Sequence, residues 1–512
     1  MQQLNNASAM NSMSDNLTVL DEPRLEFRYG QGMVDPHDGL SLFGPYDAGL
    51  PSQPKNISYG LIGTPRGIEL FDLWAHKILG PIYPEPGLDE KIWPMYPGFE
   101  AAFACLWPDK PSRTFLLNEE NLINAARQRD PYRRVFGVVE QYLEAISVMH
   151  KRDEPIDAMI CVVPEIVYTN CRPLSRVYDG IGYPVRRRIL TERQRGQLDI
   201  FDDYAPEIYS FSVDFRRQIK ARAMAYDIPT QIIRDSALRL TPRASMSERG
   251  LTPLCDRAWN LSVALYYKAG GKPWRLRSAR EGVCYIGIAY RKKDQTPTSQ
   301  AACCAAQMFL DTGDGIVFMG AEGPWYSPKH RDFHLNRDAA KELLTGVLRT
   351  YNELEGKKLK EIFLHCRSNI DDEEFSGFED ACPEDVRLIG VRVKQERFGM
   401  RLFREGTRPV IRGTFWEINP RAGFLWASGF KPRLGTYDGW EIPLPLRIDI
   451  QHGEAHLHQV ATDILGLTKL NYNACHLGES NPVTIKFSDA VGEILVSNPT
   501  VKDRSPKFKF YI

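Results

Sequence analysis

Side chains able to do chemistry are scattered thinly along this sequence, and most stand at spacings that say little alone. Arg216 and Lys220 are spaced i, i+4, which puts two cations on one helix face; by itself such a pair reads as a solvated face. Gln231 follows a turn at Ile228-Pro229, and Lys268 precedes a helix end marked by Gly270-Gly271. Other basic clusters are Arg186, Arg187, Arg188, Arg193 and Arg195, then Arg291 with Lys292 and Lys293, then Arg392 with Lys394. Lys+Arg and Asp+Glu balance at 65 each, so only such local clustering can speak for a polyanionic partner.

Metal and nucleotide chemistry find little support. The ten cysteines include no CxxC pair, and the adjacent Cys303-Cys304 cannot form an ordinary metal or disulfide framework, so they read as reduced core residues. His456 and His458 lack Cys or acidic partners at metal-site spacing and read as ordinary polar residues. Asp311, Asp314 and Glu322 with Asp371 would be the acids of a rearranged nuclease centre; DTGDG (311–315) reads more simply as a hairpin turn, where Asp-Gly supplies a positive φ. No GxGxxG or GxxxxGK[ST] loop stands between a strand and a helix, which leaves a nucleotide-using metabolic enzyme unsupported.

The elements that must position these residues are those of an α/β protein. At 512 residues, two or more packed lobes are expected. Residues 1–20, rich in Asn, Ser, Met and Gln, lack the features of a signal peptide and read as a disordered start. With no stretch of roughly 18 apolar residues, a soluble cytoplasmic protein is expected. The Gly-, Pro- and Asp-rich run 25–45 reads as a strap of extended segments and not a helix. Apolar spacing predicts helices over 67–79, 132–152, 215–227, 258–271 and 339–354. AMICVVPEIVY (158–168) reads as a β-rich run, 228–235 as a strand or loop, and VCYIGIAYRK, GIVFMG and EIFLHCR as strands of a second lobe. DILGLTKLNYNACHL (463–477) reads as a helix.

Six segments carry a resemblance: IKARAMAYDIPTQIIRDS, YYKAGGKPW, AACCAAQMFLDTGDG, GFLWASGFKPRLGTY, ATDILGLTKLNYNACHLGESNPVTIKFSDAVGEIL and the terminal FKFYI. Together, in order and over roughly residues 25–512, the chain resembles the MID and PIWI domains of short prokaryotic Argonautes. The resemblance implies a Rossmann-like MID region over 21–275, strap included, and an RNase H-like PIWI domain over 276–512. It implies that Arg216, Lys220, Gln231 and Lys268 bind the 5′-phosphate of a guide, with Arg216 standing where relatives commonly have His or Tyr. It further implies that the carboxylate of Ile512 helps ligate Mg²⁺ beside that phosphate.

Cleavage by a PIWI domain needs a carboxylate cluster holding two metal ions. The first position is held here by Ala289 and the second by Cys366-Arg367, and within DILGLTKLNYNACHL (463–477) Asn471, Asn473 and His476 but no acid follow Asp463, so an inactive nuclease is expected. The family further implies a guide RNA, a single-stranded DNA target from plasmid or phage, and a heterodimer with an APAZ-domain effector. That effector would be a sirtuin-like or TIR domain that depletes NAD and kills the cell, or else a nuclease; a higher oligomer on activation is compatible with this.

Overall fold

The computed structural model describes residues 16–151, 155–182, 206–240, 251–292, 302–309, 315–323, 325–327, 332–354, 358–397, 399–437, 439, 441–495, 497 and 505–512. The expectation of disorder over 1–20 fails at its end. Leu17–Val19 (β1) is an edge strand, its Leu17 opposite Trp416, because backbone pairing there completes the border of a large sheet. The strap begins extended, with Leu25–Glu26 (β2) and Gly32–Met33 (β3), then becomes a helix, Pro36–Phe43 (α1), against expectation. Asp35 accepts the His37 amide at 3.0 Å and Pro36 takes the first helical position, where its missing N–H costs nothing.

The first lobe is built on a parallel sheet of Tyr59–Gly63 (β4), Arg113–Leu116 (β5), Ala158–Val163 (β6) and Thr230–Arg234 (β7), ordered β5-β4-β6-β7. Around it lie Pro65–Lys77 (α2), Phe99–Phe103 (α3), Glu119–Ala126 (α4), Pro131–His150 (α5), Glu165–Asn170 (α6), Phe215–Ala223 (α7) and Leu254–Lys268 (α8). A parallel sheet is covered on both faces, and β4 and β6 are accordingly buried at every position. Leu61, Ile160 and Val162 join one core while Ile62, Met159, Cys161 and Val163 join the other, the period-two alternation of strands. The strand at 158 stops at Val163, because Pro164 starts α6; EIVY is helical, not β.

Arg275–Leu276 (β8) pairs with β2 at the junction, so the strap is tied to the chain between the lobes. The second lobe follows: Val283–Lys292 (β9), Ala302–Phe309 (β10), Gly315–Gly323 (β11), the small ribbon Tyr326–Ser327 (β12) and Asp332–Phe333 (β13), Arg337–Leu354 (α9), Glu361–Cys366 (β14), Asp372–Ala381 (α10), Arg387–Gln395 (β15), Thr414–Asn419 (β16), Ala422–Leu425 (β17), Leu446–His452 (β18), Leu457–Leu467 (α11) and Val483–Leu495 (α12). Its nine-stranded sheet runs β1-β16-β17-β18-β15-β14-β9-β10-β11. Within it, β11, β10 and β9 are antiparallel and β9, β14 and β15 parallel, which is an RNase H-like arrangement. DTGDG lies outside the described residues apart from Gly315, which pairs with Phe309.

Helix α11 ends at Leu467, so Asn471, Asn473 and His476 sit in a loop and not on the expected helix. Lys469 is drawn inward there, its ammonium 3.0 Å from Glu22 and 2.7 Å from the Val34 carbonyl. The last residues, Phe508 to Ile512, pack into the same core as α8 and β6, so the chain's end returns from the second lobe to the first. Among the described residues no helix is long and apolar enough to cross a membrane.

Strand β9 has two partners. Ile286, Ile288 and Tyr290 face the core shared with α9 and α10, whereas Gly287, Ala289 and Arg291 face α12. Gly287 has no room for a Cβ, which would collide with the Thr484 carbonyl oxygen at the start of α12. Gly287→Ala should therefore destabilise the protein by roughly 1–3 kcal/mol through overpacking, read as a lower urea midpoint; an unchanged midpoint would show that α12 shifts freely off the sheet.

Candidate functional site

A cavity of about 450 Å³ runs along the edge strand β7, lined by Gln231, Ile232, Ile233 and Arg234 of that strand, by Arg216 and Lys220 of α7, and by the terminal Ile512. Asp214 starts α7 by accepting the Arg217 amide at 3.0 Å, which sets Arg216 and Lys220 one turn apart on one face. Lys220 is 3% exposed; its ammonium donates to the Thr230 carbonyl at 3.1 Å and to Ile512 O at 2.5 Å. Arg216 donates to the Tyr511 carbonyl at 3.5 Å, so both expected cations face the chain's end.

Gln231 donates to the Ile232 carbonyl at 3.3 Å, while its Oε1 is buried without a partner. Lys268 does not line the cavity. It is the last residue of α8, fully buried, and its ammonium has no hydrogen-bond partner. Burial, reinforced by Arg216, pushes Lys268 down to about 7. Burial, then Lys268 and Arg216, holds Lys220 well below the ordinary lysine range. Arg216 and Lys220 thus meet the end of the chain at this cavity, with Lys268 buried behind them, and burial and the neighbouring basic groups disfavour the charge on Lys220 and Lys268, so an anion bound there would favour their protonated forms.

One feature escaped the sequence reading. Tyr168, also in the cavity wall, lies between two guanidinium groups, Arg172 at 3.6 Å and Arg234 at 4.1 Å from the ring centroid. Its signal was the Tyr168-to-Arg172 spacing at a helix end, hidden when EIVY is read as a strand. A basic pocket beside a guanidinium-flanked ring is complementary in charge to a phosphate group. The Ile512 backbone oxygen and the orphaned Gln231 Oε1 are hard oxygen donors of the kind Mg²⁺ takes, its other ligands then coming from phosphate and water.

The second expected position is different. Ala289 and Cys366 are buried, and the register pairing Cys366 with Ile288 brings Arg367 next to Ala289. Arg367 is ion-paired with Asp489 of α12, which also takes Arg291 at 3.0 Å. Burial pushes the Cys366 thiol up to about 12 and holds His365, bonded to the Thr484 hydroxyl at 2.9 Å, down to about 3, so both are neutral. Among the described residues, none of these positions belongs to a group of side chains that could hold a metal. Of the alternative acids, Asp311 and Asp314 lie outside the described residues, as does the side chain of Glu322.

The basic cluster at 186–195 also lies outside the described residues, as do Lys293 and the side chain of Lys292. Arg392 lies 3.9 Å from Asp449, and Lys394 is exposed, as are His456 and His458.

No family model matches the sequence, and no curated protein matches it. Solved structures do match. Clostridium butyricum Argonaute bound to a guide DNA with a 5′ deoxycytidine and a 19-mer target DNA is similar over 97% of this chain and 54% of that one, with a TM-score of 0.61 and 15% identity. A. aeolicus Argonaute is similar over 96% of this chain and 55% of its own, with a TM-score of 0.56 and 13% identity. The chain thus spans about half the length of these structures. The likeness is one of fold, the mixed α/β architecture of Argonaute MID and PIWI lobes.

The buried charge yields a test with a definite sign. Lys268 is depressed in the folded state, so its cost to stability is full below about pH 7 and disappears as pH rises toward the unfolded value near ~10.4. Lys268→Met should raise the melting temperature of the ligand-free protein, more at pH 6.5 than at pH 9.5 (roughly the two sides of that window), while lowering the stabilisation by added phosphate. A destabilised variant, or a gain equal at both pH values, would overturn this account of the pocket.

Proposed function

We propose that this chain is the guide-holding subunit of a short prokaryotic Argonaute system, anchoring the 5′-phosphate of a guide strand and presenting its bases to a complementary target. The observation that carries the reading is the meeting of Arg216 and Lys220 with Tyr511 and Ile512 beside an open cavity, with the partnerless Lys268 buried behind. A 5′-phosphate dianion would take hydrogen bonds from Arg216, Lys220 and Gln231, with Lys268 supplying charge from behind the wall. The guanidinium planes of Arg172 and Arg234, each held against the Tyr168 ring, would offer outer faces on which the guide's first base stacks. Mg²⁺ held by the Ile512 carboxylate would supply further neutralisation of the phosphate.

In this reading the chain does not cut. Ala289 offers no ligand, and a guanidinium paired with Asp489 stands where a second acid would bind metal. Output then falls to a partner: an APAZ-domain protein carrying a sirtuin-like or TIR effector, in a cytoplasmic heterodimer that recognises plasmid or phage single-stranded DNA through a guide RNA and depletes NAD until the cell dies.

Lys220→Ala and Gln231→Ala should each weaken binding of 5′-phosphorylated guides about ten- to a hundred-fold, the worth of one charged hydrogen bond at roughly 1.5–3 kcal/mol. In fluorescence anisotropy the loss should shrink greatly with 5′-hydroxyl guides; equal losses for both would show that neither residue meets the phosphate. Guide-loaded protein should also leave a matched target intact in Mg²⁺ or Mn²⁺, while the reconstituted heterodimer consumes NAD⁺ only when target is added. Cleavage at one defined phosphodiester would overturn the inactive assignment, and DNA degradation with constant NAD⁺ would move the partner to the nuclease class.

A further inference from the structure

On the opposite face of β9 from Ala289, three side chains converge without satisfying one another. His334 lies in the turn between β13 and α9, and Asp371 and Glu374 lie at the start of α10. One potential ligand atom from each of the three falls within 4.8 Å of the others. His334 Nδ1 is 3.5 Å from Asp371 Oδ2 and 3.8 Å from Glu374 Oε2, too far for strong hydrogen bonds. Both Nδ1 and the Glu374 Oε2 are buried atoms with no hydrogen-bond partner, and Glu374 as a whole is 1% exposed. A buried carboxylate oxygen left in this way is costly unless something fills the gap.

We propose that these three residues form a binding site for one divalent transition-metal ion of the zinc type. Two ligand atoms each about 2.1 Å from an ion at a tetrahedral angle stand about 3.4 Å apart, close to the spacings found. One imidazole and two carboxylates suit such an ion in charge and hardness. Each ligand is also steered by a bond to another part of it. Asp371 Oδ1 accepts the Glu374 amide at 2.8 Å, the Tyr290 hydroxyl donates to Glu374 Oε1, and the His334 amide donates to the Trp325 carbonyl at 2.9 Å. Asp371 is 46% exposed at its side chain, which gives the ion an entry path and room for a water as fourth ligand. The ion would clamp the β12–β13 ribbon to the amino end of α10, close to where β14 ends. This site is separate from the cavity at Lys220 and does not depend on any guide.

The test uses the full-length chain without guide, stripped with a chelator and titrated with Zn²⁺. Native mass spectrometry should find one Zn²⁺ per chain, with affinity at least about tenfold weaker in His334→Ala and Asp371→Asn. Asp372→Asn, which alters an exposed neighbour, should bind as wild type. X-ray absorption of the Zn²⁺-loaded wild-type protein should show one imidazole and otherwise oxygen ligands, a readout that does not depend on any variant folding. No stoichiometric uptake, uptake indifferent to His334→Ala and Asp371→Asn, or a shell with sulfur or without imidazole would each overturn the assignment.

Discussion

The contact between Lys220 and the carboxyl-terminal residue, Ile512, is the constraint on which the first-lobe cavity depends. Aromatic packing puts it in place: Phe508 meets Tyr267 at 6.4 Å and Phe487 at 4.9 Å, and Tyr511 and Ile512 are buried beyond them. Lys220 meets that chain end, while burial and the neighbouring Arg216 disfavour the charge on Lys220 and Lys268, so keeping these basic groups together costs stability.

Strand β9 sets the second lobe in a similar way, through alternation and not through charge. One set of its side chains builds the core with α9 and α10, and the other meets α12 so closely that position 287 admits only glycine. Ala289 lies between Gly287 and Arg291 on that tight face. The small side chain and the Arg367–Asp489 pair make the position compact and internally neutralised, unlike the clustered basic groups of the first lobe.

Much of this was legible in the sequence, because strong signals are local. The i, i+4 pair on α7, the glycines after α8, the continuous apolar strand β6 and the short apolar run in β14 needed no tertiary knowledge. The misreadings arose where local and distant forces compete. Glycine and proline density hid α1, although Asp35-Pro36 is a helix start. The apolar period running past Leu467 suggested more helix, but the buried Lys469–Glu22 pair with Arg412 at 2.9 Å from Glu22 holds the chain in a loop. The Tyr168 platform and the His334 cluster join residues from separate segments, so pattern alone could not assemble them.

Adjacent residues of α7 serve the two lobes separately. Arg216 turns to the cavity, whereas Arg217 reaches Glu493 of α12 at 2.8 Å. Glu493 lies 3.5 Å from Arg291 of β9, Arg291 meets Asp489 at 3.0 Å, and Asp489 pairs with Arg367 after β14. These groups are partly exposed, so each pair adds little stability in water. Their weight is geometric: alternating charges fix α12 between α7 and the ends of β9 and β14. Replacing Arg367 by an acid would set two carboxylates against each other at Asp489 and break the chain at its far end. The guanidinium that stands beside Ala289 therefore also completes the connection between the lobes, so changing it alters both surroundings at once.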